Sequence, residues 1–403
     1  MRQAKSATLH FSLLILVALL LFFNTTALFA QTSDENHAVQ SIRFAVIGDF
    51  GEAGPYELDV ANLVKSWNPD LVITTGDNNY PNGALATIDT NIGQYYHEFI
   101  FPYSGSFGQG DTVHRFFPSL GNHDWNTPGA LPYLNYFTLP GNERYYDFVN
   151  GPVHFFALDS DIHEPDGRTD TSIQAGWLET RLAYSTAPWK IVYFHHPPYS
   201  SGSTHGSQIP MRWPFATWGA SAVLTGHEHN YERISADSIV YFVNGLGGRS
   251  TLYPFGTPIE GSQVRYNTTF GAMLVEAEPD SITFKFINID TVLIDTHTLY
   301  ATPVNVRENR HNNDFVLLQG YPNPFNPITT VTFLIPSKSF VTLQVTDILG
   351  KEVALLTSEE LPAGKYTRQW DASGFASGVY LCRMVATSSA GTYQKTIELV
   401  YLR

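Results

Sequence analysis

The chain has 403 residues, a formal net charge of −14, 43% hydrophobic and 15% charged residues. That length holds two or three domains with real cores, and the composition suits a strand-rich exported protein better than a disordered chain. The acidic balance, with no basic stripe, argues against nucleic acid or an anionic membrane as a partner.

At the start, Arg2 and Lys5 precede an unbroken apolar run from Leu13 to Phe23, and "TTALFA" follows. This pattern predicts a signal peptide over residues 1–30, cleaved after Ala30, and the run falls short of the roughly 20 residues of a stable membrane span. "IRFAVIGD" then reads as a buried strand ending at Asp49, and "YELDVANLVKSW" as a helix with Leu58, Ala61 and Val64 at helical spacing. "DLVITTGD" is a second strand ending at Asp77, and "RFFPSLGNHD" a third ending near Asn122. "YYDFVNGPVHFFALDS" predicts a hairpin turning at Asn150-Gly151, and "TSIQAGWLETRLAYS" an amphipathic helix with a Thr/Ser start. "KIVYFHH" and "SAVLTGHEH" repeat the strand with a polar tip, and three alternating runs follow between Phe270 and Thr298. The expected domain is α/β, closed by antiparallel strands, over residues 31–305. Polar "RENRHNND" places a linker at residues 306–315, and short strands with turn residues between them predict an all-β sandwich over residues 316–403. Cys382 is the single cysteine, so no intrachain disulfide forms.

Five strand tips carry polar side chains able to hold a metal: "GDFG" (Asp49), "GDNNY" (Asp77, Tyr80), "GNHD" (Asn122, His123), "VYFHH" (His195) and "GHEH" (His227, His229). Ligands collect at the carboxyl ends of strands in open α/β sheets. Gly-Asp after a strand is by itself a common plain turn, and a lone histidine is more often structural. Five tips in this order are hard to explain as turns alone. Carboxylates, imidazoles, one amide and one phenol suit hard or borderline first-row cations, and the lack of a cysteine cluster excludes thiolate zinc and iron–sulfur sites. Two cations about 3.5–4 Å apart need a bridging ligand, and a carboxylate such as Asp77 can span both. Alternation along the strand sends His195 and His196 to opposite faces, so the two have different jobs.

The ordered set GDFG, GDNNY, GNHD, VYFH and GHEH resembles the purple acid phosphatases of the compact tartrate-resistant type, within the calcineurin-like metallophosphoesterases, over residues 42 to 250. The resemblance implies a two-sheet αββα sandwich with metals at the strand tips, followed here by a small immunoglobulin-like β-sandwich. It implies Fe(III) held by Asp49, Tyr80, His229 and bridging Asp77, and a divalent ion (Fe, Zn or Mn) held by Asn122, His195, His227 and the same Asp77. Tyr80 sets this group apart, since most calcineurin-like relatives lack a tyrosine there. The resemblance makes His123 a histidine that contacts the phosphate or leaving group. His205 sits where the tartrate-resistant enzymes place a second such histidine, in a loop here one residue longer; a solvated histidine is the other reading. His196 falls at a variable position and reads as pocket wall. Glu228 reads as facing solvent or a group behind the ligands, and "NGLGG" from Asn244 as a backbone turn near the site. His37, His97, His114, His154, His163, His297 and His311 match no motif. The C-terminal block, with "YPNPFNPITTVTFLIP" and "LPAGKYTRQWDASGFASGVYLCRMVA", resembles the sorting domain of the type IX secretion system.

Together these imply an exported acid phosphatase that hydrolyses small phosphate monoesters with metal-activated water and no phosphoenzyme. Its other partner is the type IX secretion machinery, which places it outside the cell or on the surface by way of the periplasm. A phosphodiesterase, nucleotidase or pyrophosphatase of the same superfamily is the alternative, and a non-catalytic surface binding protein the rival of a different class.

Overall fold

The computed structural model describes residues 41–301, 315–317, 320, 323, 325–389 and 391–402. The signal segment and the linker residues 306–314 lie outside the described residues.

Two mixed sheets face each other. The first contains β1 (Ile42–Ile47), β2 (Leu71–Thr74), β3 (Phe116–Pro118), β11 (Gly271–Ala277), β12 (Ser281–Asn288) and β13 (Leu293–Tyr300), in the order β13-β12-β11-β1-β2-β3. The second contains β4 (Tyr146–Asn150), β5 (Val153–Ala157), β6 (Trp189–Tyr193), β7 (Ala222–Thr225), β8 (Tyr231–Ala236), β9 (Ile239–Asn244) and β10 (Ser262–Tyr266), in the order β10-β8-β9-β7-β6-β5-β4. β1 runs parallel to β2 and β2 to β3, while β5, β6 and β7 form a second parallel set. Parallel strands covered on both faces require near-continuous apolar sequence, and β1, β2, β5 and β7 supply it.

The two-residue period sorts the side chains of β6. Trp189, Ile191 and Tyr193 enter the core between the sheets, while Val192 and Phe194 enter a second core on the outer face. The helix Ile173–Tyr184 covers that outer face with Leu178 and Leu182, its start fixed by Ser172 Oγ accepting the Ala175 amide at 3.2 Å. Between the sheets, Phe44 packs edge-on against Phe155 at 4.9 Å. The Tyr193 hydroxyl reaches the Phe117 carbonyl at 3.2 Å and the Tyr146 hydroxyl the Pro118 carbonyl at 2.6 Å. Each such aromatic removes an area worth about 1.5–3 kcal/mol from water, and the tyrosine hydroxyls avoid the penalty of an unpaired buried donor. The helix Pro55–Ser66 adds Val60, Ala61 and Val64 to the same core.

The C-terminal block forms two antiparallel sheets. β14 (Val316–Leu317), β15 (Ile328–Ile335) and β18 (Gly364–Asp371) make the smaller one, in the order β14-β15-β18. β16 (Ser339–Asp347), β17 (Glu352–Leu361), β19 (Gly378–Ser388) and β20 (Gly391–Tyr401) make the larger, in the order β17-β16-β19-β20. Its core, from Leu317, Phe333, Val341, Trp370, Cys382 and Leu399, shares no residue with the cores of the first unit. This is the expected β-sandwich. Because the hydrophobic clusters are separate, residues 31–305 expressed alone should keep the near-ultraviolet circular dichroism of a packed core and melt cooperatively. A chain of that length lacking near-ultraviolet signal would show that the β-sandwich completes the fold.

Candidate functional site

Asp49 follows β1, Asp77 follows β2, Asn122 follows β3, His195 follows β6, and His227 and His229 follow β7. All sit at carboxyl ends of parallel strands, so the facing sheets bring two rows of tips together. The backbone there is bent in an uncommon way: Asp49, Asp77 and His227 have φ of 55°, 54° and 70°. A non-glycine residue held left-handed costs on the order of 1–3 kcal/mol, and such strain gathers where function requires it. The motif glycines allow the close approach. A Cβ on Gly121 would lie 2.2 Å from the Asp77 amide nitrogen, and one on Gly226 2.5 Å from Asp49 Oδ2.

The side chains converge as two groups sharing one carboxylate. Tyr80 Oη lies 2.8 Å from Asp77 Oδ2, 3.3 Å from Asp49 Oδ1 and 3.3 Å from His229 Nε2. On the other side His195 Nε2 lies 3.4 Å from the same Asp77 Oδ2, 3.0 Å from Asn122 Oδ1 and 3.1 Å from His227 Nδ1. A single carboxylate oxygen therefore reaches both groups. The ring N–H at Nδ1 of His195 donates to the Thr75 carbonyl at 2.8 Å, and that of His229 to the Thr251 carbonyl at 2.7 Å. These bonds fix the tautomers and turn each Nε2 lone pair inward. All seven side chains except the shallower Asn122 are buried.

The electrostatics point the same way. Burial, then the charges of Asp77 and Asp49, push the Tyr80 phenol well above its ordinary range. Burial, then His195, push the His227 imidazole well down. Burial alone would raise the Asp77 carboxyl, yet His195 and His123 outweigh it and hold it far below the usual carboxylate range. Burial alone would lower the His195 imidazole, yet Asp77 and Asp49 outweigh it and raise it to about 10, so a proton holds the place beside the carboxylates that a cation would take. Two buried carboxylates, a phenol and inward-turned imidazole nitrogens form a pocket whose negative charge cations satisfy. The donor set fits two of them.

His123 and His205 flank this cluster. The His123 amide donates to Asp77 Oδ1 at 2.9 Å; its ring Nδ1 is bonded to the Pro81 carbonyl at 2.6 Å, and its Nε2 lies 3.9 Å from Asp77 Oδ2. The His205 ring stacks on His227 at 4.1 Å. Glu228 is buried and turned away from solvent: its Oε1 accepts the amides of His205 at 2.5 Å and Gly206 at 2.6 Å, so it pins the loop that carries His205. His196 does not turn to the opposite face as alternation predicts, because the strand ends at Tyr193. Its Nδ1 is 2.8 Å from the Ser160 hydroxyl, and its ring packs 5.0 Å from that of His195 and 4.4 Å from that of His227, as a wall of the cluster. "NGLGG" is a turn beside the site, with the Gly247 amide on the Gly48 carbonyl at 2.9 Å. His97, His114, His154, His163 and His297 bond locally away from the cluster, and His37 and His311 lie outside the described residues.

Sequence reasoning missed three neighbours. Tyr253 stacks on His229 at 3.9 Å and 7°, and Arg249 lies 4.7 Å over the Tyr80 ring while pairing with Glu52. Asp124 ties the Asp77 and Asn122 turns together by accepting the Gly121 amide at 2.9 Å and the Asn78 side chain at 2.9 Å. Burial, then Asp77, push its carboxyl up to about 6.

Comparison with known proteins gives the same reading of the two units. Residues 42–231 match the family model described as calcineurin-like phosphoesterase, and residues 319–398 that of the secretion system C-terminal sorting domain. Purple acid phosphatase 15 of Arabidopsis thaliana is 29% identical over 51% of this chain and 45% of its own, so the chain spans less than half of that relative. Human tartrate-resistant acid phosphatase type 5 is 26% identical over 59% of this chain and 79% of its own. Among solved structures, the purple acid phosphatase PPD1 of yellow lupin superposes with a TM-score of 0.53 at 18% identity, over 65% of this chain and 54% of that one. GAP50, the anchor in the inner membrane complex of Plasmodium, gives 0.52 at 20% identity, over 65% and 89%.

The geometry predicts a clean split between the paired histidines. After reconstitution with iron and zinc, His195→Ala should lose about one metal per chain by elemental analysis, whereas His196→Ala should keep two. The reverse pattern would mean that the strand end is misread by one residue.

Proposed function

Because the chain carries a calcineurin-like metallophosphoesterase domain joined to a secretion-system sorting domain, we propose that it is an exported dinuclear-metal phosphatase acting on small phosphate monoesters. The observation that carries this reading is Asp77 Oδ2 standing 2.8 Å from Tyr80 Oη and 3.4 Å from His195 Nε2, which suits a carboxylate that bridges two cations. Asp49, Tyr80 and His229 would complete a ferric site with it, and Asn122, His195 and His227 a divalent site for Fe, Zn or Mn. When bound, such cations supply Lewis acidity that acidifies water and neutralises charge on the phosphoryl oxygens.

The remaining steps fall to side chains. His123, with Nδ1 committed to the Pro81 carbonyl, turns Nε2 toward the cluster and is placed to give a proton to the leaving oxygen. His205, stacked on His227 and exposed to solvent, lines the opposite wall and orients the phosphate. Glu228 acts through His205 by holding its loop. A phosphodiesterase, nucleotidase or pyrophosphatase of the same superfamily would share most of this donor set; Tyr80 and His205 favour the monoesterase, and the pocket rim decides the substrate. GAP50 shares the fold and is described as an anchor. A purely binding role for this chain gives no reason for seven convergent donors.

The direct test compares the metal-loaded chain on p-nitrophenyl phosphate and bis-p-nitrophenyl phosphate. The monoester should be hydrolysed much the faster; a faster diester would assign the chain to the phosphodiesterases, and no hydrolysis of either would remove the enzyme reading. His123→Ala should retain two metals and lose about 10²–10⁴-fold in kcat; loss of a metal in parallel with activity would make it a ligand instead. Glu228→Ala should lower kcat in the native background and cost nothing further in a His205→Ala background, while Glu228→Gln, which keeps an acceptor, should stay near native. Additive losses in the double variant would show that Glu228 does not act through His205.

A further inference from the structure

Beside the donor cluster lies a cation that neither the fold nor the reaction has used. Arg168 sits on the segment joining β5 to the helix Ile173–Tyr184, half-buried, with its Nη1 on the Ser160 carbonyl at 3.3 Å. The Ser160 hydroxyl accepts the His196 amide at 2.9 Å and meets His196 Nδ1 at 2.8 Å. The His196 ring in turn lies 5.0 Å from His195 and 4.4 Å from His227, centre to centre. The path from the metal donors to the guanidinium is therefore short and continuous: His195, His196, Ser160, Arg168.

Two features make this arrangement look built for a ligand. First, the carboxylates of the same segment are engaged elsewhere. Glu164 and Asp166 pair with Arg144, Asp161 with His163, and Asp159 Oδ2 accepts the Trp125 indole at 2.8 Å. Among the described residues no carboxylate stands within ion-pair distance of Arg168, in a chain with 37 acidic residues against 23 basic ones. Second, the segment is held rigid around Arg168. The Gln174 amide donates to the Asp159 and Gly167 carbonyls at 2.8 and 2.9 Å and accepts the Asp159 amide at 2.8 Å, while the Trp213 indole donates to the Arg168 carbonyl at 3.2 Å. The guanidinium, on a braced backbone, is tethered by one hydrogen bond to the Ser160 carbonyl, with its other N–H groups open among the described residues. It stands next to an imidazole whose Nε2 makes no hydrogen bond among them, and together they match the fork geometry and charge of a phosphate.

We propose that Arg168, His196 and Ser160 form a second anion subsite that holds the non-reacting phosphoryl group of a diphosphate substrate while its neighbour lies at the metal donors. This rests on the phosphatase reading and adds to its monoesters the anhydride substrates with two adjacent phosphoryl groups, such as pyrophosphate or a nucleoside diphosphate. The Ser160 hydroxyl, giving its proton to His196 Nδ1, leaves the ring proton on Nε2 to donate to the ligand. Arg168 supplies the charge.

The test uses the full metal-loaded chain and two probes that resist hydrolysis, methylphosphonate and methylenediphosphonate, titrated by calorimetry. The native chain should prefer the diphosphonate, and Arg168→Ala should cut the ratio of the two affinities roughly tenfold, the usual cost of one lost charge-assisted hydrogen bond. Arg168→Lys, which keeps the charge and loses the fork, should fall between them and guards against a merely misfolded alanine variant. In turnover, the Arg168→Ala loss on pyrophosphate should appear in KM more than in kcat. A ratio that is the same in native and Arg168→Ala chains overturns the subsite. A native chain that hydrolyses nothing yet shows the Arg168-dependent ratio removes the phosphatase reading and supports the subsite.

Discussion

One oxygen of Asp77 has to serve two neighbourhoods at once, and much of the surrounding structure follows from that requirement. The carboxylate reaches both groups because its own backbone is left-handed, with φ of 54°, and because Gly121 brings the next strand tip within contact of it. Its other oxygen takes the His123 amide, so the same residue also places the histidine that flanks the cluster. Asp124 braces the turn from behind. Moving Asp77 by an ångström would part the two groups and shift His123 with them.

A constraint that tight needs a rigid base, and the facing sheets supply it. The tips come from parallel strands whose side chains are buried on both faces, and aromatic residues cross between the layers at Phe44 and Phe155. Tyrosine hydroxyls bond from one sheet to backbone carbonyls of the other, which fixes the spacing of the layers as well as filling it. Close-packed interiors resist small displacements, so the sheets hold the strands behind the tips in register. The C-terminal β-sandwich has a core of its own and contributes none of the clustered donors.

Most of the donor cluster was legible in the sequence because close backbone approach leaves glycine as its mark, and each of the Gly-Asp, Gly-Asn and Gly-His pairs follows an apolar strand. The alternation in "KIVYFHH" sorts Tyr193 and Phe194 into different cores but stops at the strand's end, where His196 bonds to Ser160 and still packs against the rings of His195 and His227. What stayed hidden lacks a local signal. β8 carries Glu232 and Arg233, whose partners lie on other segments, and β10 carries Arg265, so neither strand reads as apolar. The helical turns between Leu85 and Tyr136 are each too short to show a period. Tyr253, Arg249 and the carbonyl of Thr251 touch the cluster only through tertiary folding, and a backbone carbonyl leaves no trace in residue identity. Arg168 carries no local signal either, because it meets Ser160 and His196 only through the fold.

The visible absorption spectrum of the full chain loaded with iron tests the central assignment most directly, because it reports on Tyr80 and the metal together. Burial and two carboxylates hold the Tyr80 phenol protonated when no cation is near, and a trivalent cation beside it reverses that balance. The account predicts a violet protein with a tyrosinate-to-iron(III) charge-transfer band that disappears in Tyr80→Phe. A native protein that holds two metals and remains colourless, or a Tyr80→Phe variant that stays violet, would contradict it.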